Sequence, residues 1–329
     1  MKEVETIVVG AGPAGTSCAW RLKKNGRDVL ILDKERFPRT KLCAGWITDG
    51  VFDNLEFTPE TYPQSIMKLK FKFHYKSFPI AIYLPFAYSY SIRRFEFDHW
   101  LLERSGADFE THQVKKIEQD AGGAYVLDGE YRCTYLVGAA GTACPVRTQL
   151  FQPFQSKDDL IVTLEKEFEY PQRDDFCHIF LFKHGLRGYS WYVPKGEGYV
   201  NVGLGGKGSF FRNSGKNIHH HFKSFLRDLV NLRLLDQATT EHLQQTGHPY
   251  YFCPVERTEQ VKHDRCFLIG DSAGFASRDL GEGIGQAIES GFMAADEIMG
   301  AGTYAAGQIA TTSIGIRPVD NFLMNRIHT

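Results

Sequence analysis

Three glycines in Gly10-Ala11-Gly12-Pro13-Ala14-Gly15 are spaced G-x-G-x-x-G, and Asp33 follows about 20 residues later. This set suits one task, the binding of a dinucleotide. The first glycine permits a tight turn, the second lets a pyrophosphate approach the backbone, and the third lets a helix pack closely on a sheet. The helix start then turns unpaired N–H groups toward the phosphates. The acid at the end of the second strand accepts hydrogen bonds from ribose hydroxyls. Gly10, Gly12, Pro13, Ala14, Gly15, Asp33 and its neighbour Lys34 are therefore the expected nucleotide contacts. By itself the motif does not separate one dinucleotide from another.

The elements that must hold these residues are legible around them. Residues 4–9 form an apolar, β-branched run, and Cys18, Ala19 and Leu22 have helical spacing up to Asn25-Gly26. A second strand, Asp28–Leu32, ends at Asp33. Near the other end of the chain, the strand Cys266–Ile269 runs into Gly270-Asp271-Ser272-Ala273-Gly274. A second glycine cluster, Gly281-Glu282-Gly283-Ile284-Gly285, then opens a helix reaching about Met299.

At this point the chain resembles the FAD-dependent oxidoreductases that include aromatic hydroxylases and geranylgeranyl reductases. The resemblance implies a glutathione-reductase-type, Rossmann-like α/β (α+β) fold with FAD as cofactor. It also implies that Gly270 and Asp271 bind the ribitol chain, while Gly283 and Ile284 start a helix aimed at the flavin. A helix amino terminus there fits the negative charge of reduced flavin. Ser91–Asp98 matches the family's R-x-x-F-D, which makes Arg94 the flavin contact and Arg93 its alternative. By analogy, a strand near Val114 supplies a backbone contact to adenine. Ala140 departs from the family, whose hydroxylases carry Asp in Gly-Ala-Asp-Gly; that weakens a direct nicotinamide site.

Two patterns narrow the branch. Lys41-Leu42-Cys43-Ala44-Gly45 resembles the K-x-C-x-G of geranylgeranyl reductases, which places Cys43, Ala44 and Gly45 beside the flavin and makes Cys43 the candidate catalytic residue. Gly188-Tyr189-Ser190-Trp191-Tyr192-Val193-Pro194-Lys195 resembles the reductase signature Y-x-W-x-F-P. Alternation puts Tyr189, Trp191 and Val193 on one strand face and Ser190 and Tyr192 on the other. Tyr189, Trp191, Val193 and Pro194 are the expected substrate contacts. The resemblance thus implies reduction of carbon–carbon double bonds in an apolar, isoprenoid-like substrate. Alternatives are a flavin monooxygenase or halogenase, whose related W-x-W-x-I-P shares the pattern, and a non-catalytic flavin-binding redox protein. No catalytic acid stands out.

The rest of the chain sets limits. With 329 residues, two structural parts are expected: a discontinuous FAD domain (1–60, 89–155 and 255–329) and a substrate domain (61–88 and 156–254). Met67–Tyr75, Pro79–Leu84, Ile161–Glu169 and Phe176–Phe182 read as strands of a substrate-facing sheet. In 215–236, His219, Phe222, Phe225, Leu226 and Leu229 have the spacing of a helix covering that sheet. His219-His220-His221 point about 100° apart on such a helix and do not converge on a metal. Lys plus Arg is 38 against 39 Asp plus Glu, which gives no field for nucleic acid. Seven scattered cysteines without a C-x-x-C pair argue against a disulfide framework and for a reducing compartment.

No signal peptide or membrane span is expected, so the reading is a cytoplasmic protein, with peripheral membrane contact left open. Its partners are a lipid or other apolar small molecule and an electron donor, either NAD(P)H or a reduced carrier. Gly300–Thr329, with Arg317-Pro318-Val319-Asp320, is shorter than the helical segment that longer family members add over the substrate channel. That difference bears on substrate chain length.

Overall fold

The computed structural model describes residues 1–76, 82–152, 160–171, 174–215, 217–252 and 260–309. In chain order the elements begin β1 (Lys2–Val9), α1 (Pro13–Lys24), β2 (Val29–Asp33), β3 (Trp46–Thr48) and α2 (Asp49–Leu55). Next come β4 (Met67–Tyr75), β5 (Ile82–Ser91), α3 (Arg94–Ser105), β6 (Asp108–Thr111), β7 (Ile117–Gln119), β8 (Tyr125–Leu127) and β9 (Tyr131–Gly138). They are followed by α4 (Pro145–Leu150), β10 (Ile161–Glu169), β11 (Phe176–Leu181), β12 (Gly188–Lys195), β13 (Tyr199–Lys207), α5 (Gly208–Asn213) and α6 (Ile218–Asn231). The last are α7 (Gln237–His242), β14 (Thr246–Tyr250), β15 (Lys262–His263), β16 (Cys266–Leu268) and α8 (Ile284–Ile298).

These elements form two compact units. One takes the described residues of Met1–Arg39, Phe95–Ser156 and Tyr250–Gly315; the other takes those of Thr40–Arg94 and Lys157–Pro249. Residues 40–60, grouped with the nucleotide part on sequence grounds, fall in the second unit.

The first unit holds a sheet in the order β15-β16-β9-β1-β2-β6, with β7 and β8 attached beside β9. From β16 to β6 every neighbouring pair is parallel. Strands of such sheets are covered on both faces and read as continuous apolar runs. Accordingly Ile7, Val8, Leu30, Ile31, Leu136 and Val137 are all fully buried. Helix α1 buries Ala14, Cys18 and Leu22, a stripe of helical period, and lies against α8. The crossing is close because residue 291 is glycine: a Cβ there would meet the Ala14 carbonyl oxygen at 2.5 Å. Arg21 clamps the same pair of helices through both oxygens of Asp296, at 2.6 and 2.8 Å.

In the second unit the sheet order is β14-β10-β13-β12-β11-β4-β5-β3. Its pairs are antiparallel from β10 to β11 and from β4 to β3, whereas β11 and β4 run parallel. The alternation in β12 separates two apolar clusters. Tyr192 joins Phe180, Val200, Val202 and Leu204 under Phe222, Phe225, Leu226 and Leu229 of α6. Trp191 and Val193 join Leu69, Phe71, Cys177 and Ile179 on the other face. Burying each such side chain contributes about 2 kcal/mol. The α6 stripe departs from expectation at one position, since His219 is exposed and His221 is buried. Strand β5 begins at Ile82, and Pro79 lies outside the described residues.

Candidate functional site

In parallel sheets ligands bind outside the carboxyl ends of the strands. The first unit brings its glycines to that edge. Gly10, with φ +115°, follows β1; its Cβ would meet the Ala139 backbone at 2.4 Å, and a Cβ on Gly15 would meet the Gly10 carbonyl oxygen at 1.9 Å. Neither position accepts a side chain. Gly12 caps α1 without any side-chain hydrogen bond and Pro13 occupies the first turn, so the helix start keeps its N–H groups for a ligand. At the end of β2, Asp33 Oδ2 accepts from the Ala11 N–H at 2.8 Å and Oδ1 from the Glu35 N–H at 2.9 Å. Each carboxylate oxygen retains a second lone pair for ribose. Lys34 beside it is exposed and lies 4.0 Å from Glu35.

A second loop completes this edge. Gly270, at φ +57°, packs so tightly that a Cβ would meet the Ala14 Cβ at 2.9 Å, and its N–H donates to Ser290 Oγ at 3.0 Å. Ser272 Oγ accepts from the Gly141 N–H at 2.9 Å, which ties this loop to the one after β9. Gly283 caps α8, again without a side-chain partner, and a Cβ on it would lie 3.4 Å from Asp271 Oδ1. Nothing lies within 4 Å of a Cβ built on Gly285. Two helix starts with ungated N–H groups and two carboxylates on one sheet edge fit a dinucleotide such as FAD. Val114 is buried but belongs to the connection between β6 and β7, not to a strand.

The second unit gathers the other expected residues. Gly45, at φ +67°, is wedged so that a Cβ would meet the Ile92 carbonyl oxygen at 2.0 Å and Lys195 Nζ at 2.3 Å. Its N–H lies 3.4 Å from Cys43 Sγ, and its carbonyl accepts from the Ile92 N–H at 2.8 Å. Arg94 opens α3 and is buried. Trp191 and Val193 share a face with the half-buried Tyr189. Pro194 does not. Alternation turns its ring to the opposite face, where it pairs with Val200 of the α6-side cluster, and its carbonyl accepts from Ser91 Oγ at 2.7 Å.

The FAD binding domain family matches residues 3–301. The chain belongs to that family. An uncharacterized Methanosarcina barkeri protein is 32% identical over 317 residues, covering 91% of this chain and 75% of that one. Digeranylgeranylglycerophospholipid reductase 2 of Methanopyrus kandleri is 28% identical over 315 residues, covering 89% and 76%. The structure of a geranylgeranyl bacteriochlorophyll reductase-like protein from Thermoplasma acidophilum has the same fold. Its TM-score is 0.76 at 20% identity, covering 100% of this chain and 85% of that one. The protein is an FAD-dependent oxidoreductase of the geranylgeranyl-reductase-like kind, with FAD as its cofactor.

Several residues of this flavoprotein escaped the sequence reading. Arg39 belongs to none of the motifs read from the sequence. Its guanidinium lies 3.7 Å from a Cβ built on Gly12 and pairs at 3.3 Å with the fully buried carboxylate of Asp98. The final Asp of the R-x-x-F-D stretch thus holds a cation over the glycine turn. A second group surrounds Cys43. Lys195, fully buried, donates to the Ile92 carbonyl at 2.5 Å and pairs with Glu167 at 3.1 Å, and Arg93 pairs with the same carboxylate at 3.1 Å. Asn201 accepts from Trp191 Nε1 at 2.7 Å and donates to Glu165 at 3.2 Å and to the Cys43 carbonyl at 3.4 Å. Among the described cysteines only Cys43 is not fully buried. Burial pushes the Cys18 and Cys133 thiols up to about 12, which leaves them inert.

Proposed function

We propose that this flavoprotein reduces carbon–carbon double bonds of an apolar, isoprenoid-like lipid. The observation that carries the reading is the face of the second sheet bearing Tyr189, Trp191 and Val193. It is apolar throughout its aromatic part, yet it borders the Cys43–Gly45 loop and a buried polar group. An apolar surface with a few placed polar groups suits a lipid that must be oriented at one bond. The digeranylgeranylglycerophospholipid reductase relative, by its name, supports the same substrate class.

Reduced FAD supplies a hydride. The α1 start, with Arg39 over Gly12, would hold the diphosphate, Asp33 the ribose hydroxyls and Asp271 the ribitol chain. The α8 start at Gly283 and Ile284 would face the flavin ring with its N–H groups. Lys195 pins the Cys43–Gly45 loop through Ile92. Tyr189 and Trp191 orient the chain and exclude water. Ala140, in the place of the hydroxylases' aspartate, favours an external reduced carrier as electron donor. Peripheral contact with a cytoplasmic membrane surface gives access to the lipid.

The test is anaerobic. Holoenzyme reduced with dithionite, freed of excess reductant and mixed with geranylgeraniol in detergent should regain the oxidised flavin spectrum and yield a product two hydrogens heavier. Reoxidation only by oxygen, with substrate-stimulated oxygen consumption, would instead indicate a monooxygenase or halogenase.

A further inference from the structure

Glu165 is 2% exposed and sits on β10 opposite Gly203 of β13, which in turn pairs with Trp191 of β12. Residues paired across strands point to the same face. Glu165 therefore shares its row with Trp191 and its face with Tyr189, one row away. The absence of a side chain at Gly203 brings the two together: a Cβ there would meet Trp191 Cζ2 at 2.3 Å and the Glu165 Cβ at 2.7 Å. The indole covers the glycine and borders the carboxyl-bearing side chain. A carboxyl group buried against the Trp191 indole needs a reason, because burying it costs several kcal/mol unless it is paired or protonated.

We propose that Glu165 delivers the proton in double-bond reduction, a role that rests on the reading given under Proposed function. One alkene carbon takes the hydride of the reduced cofactor and the other takes the Glu165 proton. The π pair becomes the second C–H bond, the carboxyl O–H bond breaks, and its electron pair stays on oxygen as a carboxylate. A proton from solvent restores the acid after product leaves.

The surroundings let the group live in both protonation states. Asn201 on β13 donates to Glu165 Oε2 at 3.2 Å and so stabilises the anion. Lys195 on β12 and Lys41 before β3 add positive charge, while Glu167 on the same strand adds negative charge. Lys41 is itself bonded at 2.9 Å to His248 on β14, and Glu167 is shared between Lys195 and Arg93. That triad of two cations and one anion is left positive, and ionised Glu165 balances it. Burial works the other way and dominates, raising the carboxyl to about 7. An acid near neutrality, almost closed to water, keeps its proton for a group that enters the site.

The experiment uses reduced holoenzyme, geranylgeraniol and the variants Glu165→Gln and Glu165→Asp, each checked for bound FAD by its visible spectrum. Wild-type reoxidation should slow about tenfold per pH unit above about 7. E165Q should be slower by about 100-fold with a flat profile, and E165D should recover part of the rate. Independently of turnover, infrared titration should show a protonated carboxyl band that disappears near pH 7 in wild type and is missing in E165Q. E165Q turning over at the wild-type rate with the wild-type pH profile, or no such band, overturns the proposal. If E165Q does not hold FAD, E165D decides, and an unchanged pH midpoint overturns it. Wild type that geranylgeraniol fails to reoxidise overturns the reduction reading and this role together, an outcome distinct from wild type and variant reacting alike.

Discussion

Half-buried His74 and buried Glu165 show how single groups link this protein to pH, and with opposite signs. His74 Nε2 is bonded to His178 Nδ1 at 3.0 Å, and His178 Nε2 to Asp174 at 2.9 Å. Burial, together with His178, Lys183 and Lys72, depresses His74 to about 4, against the partial counter-effect of Asp228. Its ordinary value is 6.5, so the unfolded chain takes up the proton first as pH falls. The stability associated with neutral His74 is complete above pH 6.5 and is lost as pH falls toward 4. The full shift corresponds to about 3 kcal/mol, which solvent screening at a half-buried ring reduces to about 2. Denaturant melts of wild type and His74→Phe at a series of pH values should diverge over that window; parallel curves would refute the assignment. Glu165 acts inversely, because its folded value lies above its ordinary 4.5. Its contribution is complete below 4.5 and is lost as pH rises through about 7.

At the scale of elements, the crossing of α1 and α8 decides how well the glycine turn is held. Arg21 with Asp296 is a partly exposed pair and contributes about 1 kcal/mol at most. Gly291 matters more. Propensity alone would make Gly291→Ala stabilising by about 1 kcal/mol in mid-helix. Packing opposes this, since the new Cβ would press on the Ala14 carbonyl oxygen at 2.5 Å and the Cys18 N at 3.1 Å. Backbone cannot yield as a flexible side chain can, and overpacking costs about 1–3 kcal/mol. The expected result is a net loss of up to about 2 kcal/mol in urea melts, with weaker FAD binding in a titration, because Ala14 belongs to the glycine motif itself. A more stable G291A with unchanged FAD affinity would show that the crossing relaxes freely.

For the whole molecule, FAD binding and folding are one linked equilibrium. A ligand held only by the folded chain stabilises it by about 2.7 kcal/mol at a hundredfold excess over Kd. Added FAD should therefore raise the melting temperature of the apoprotein in step with the logarithm of its concentration. Gly12→Val, placed where Arg39 and the α1 start converge, should melt near the wild-type apoprotein but lose that dependence. An FAD-dependent rise in the variant equal to that of wild type would remove the glycine turn from the binding site. Among the described residues no helix is long and apolar enough to cross a membrane.

Much of this was written locally in the chain. The glycine spacing, the acid after β2, the Gly-Asp turn and the alternation of β12 depend on backbone geometry within a few residues, so periodicity and turn chemistry reveal them. Three positions sit differently from the local reading: Val114 lies in a connection between strands, Pro194 faces away from Trp191, and His219 faces solvent. Only tertiary structure could bring Arg39 and Asp98 to Gly12, or Glu165 to Trp191 and the Cys43 loop. Those meetings depend on which strands pair and in what register, and a carboxyl group's acidity is set by neighbours and burial that no local pattern of residues encodes.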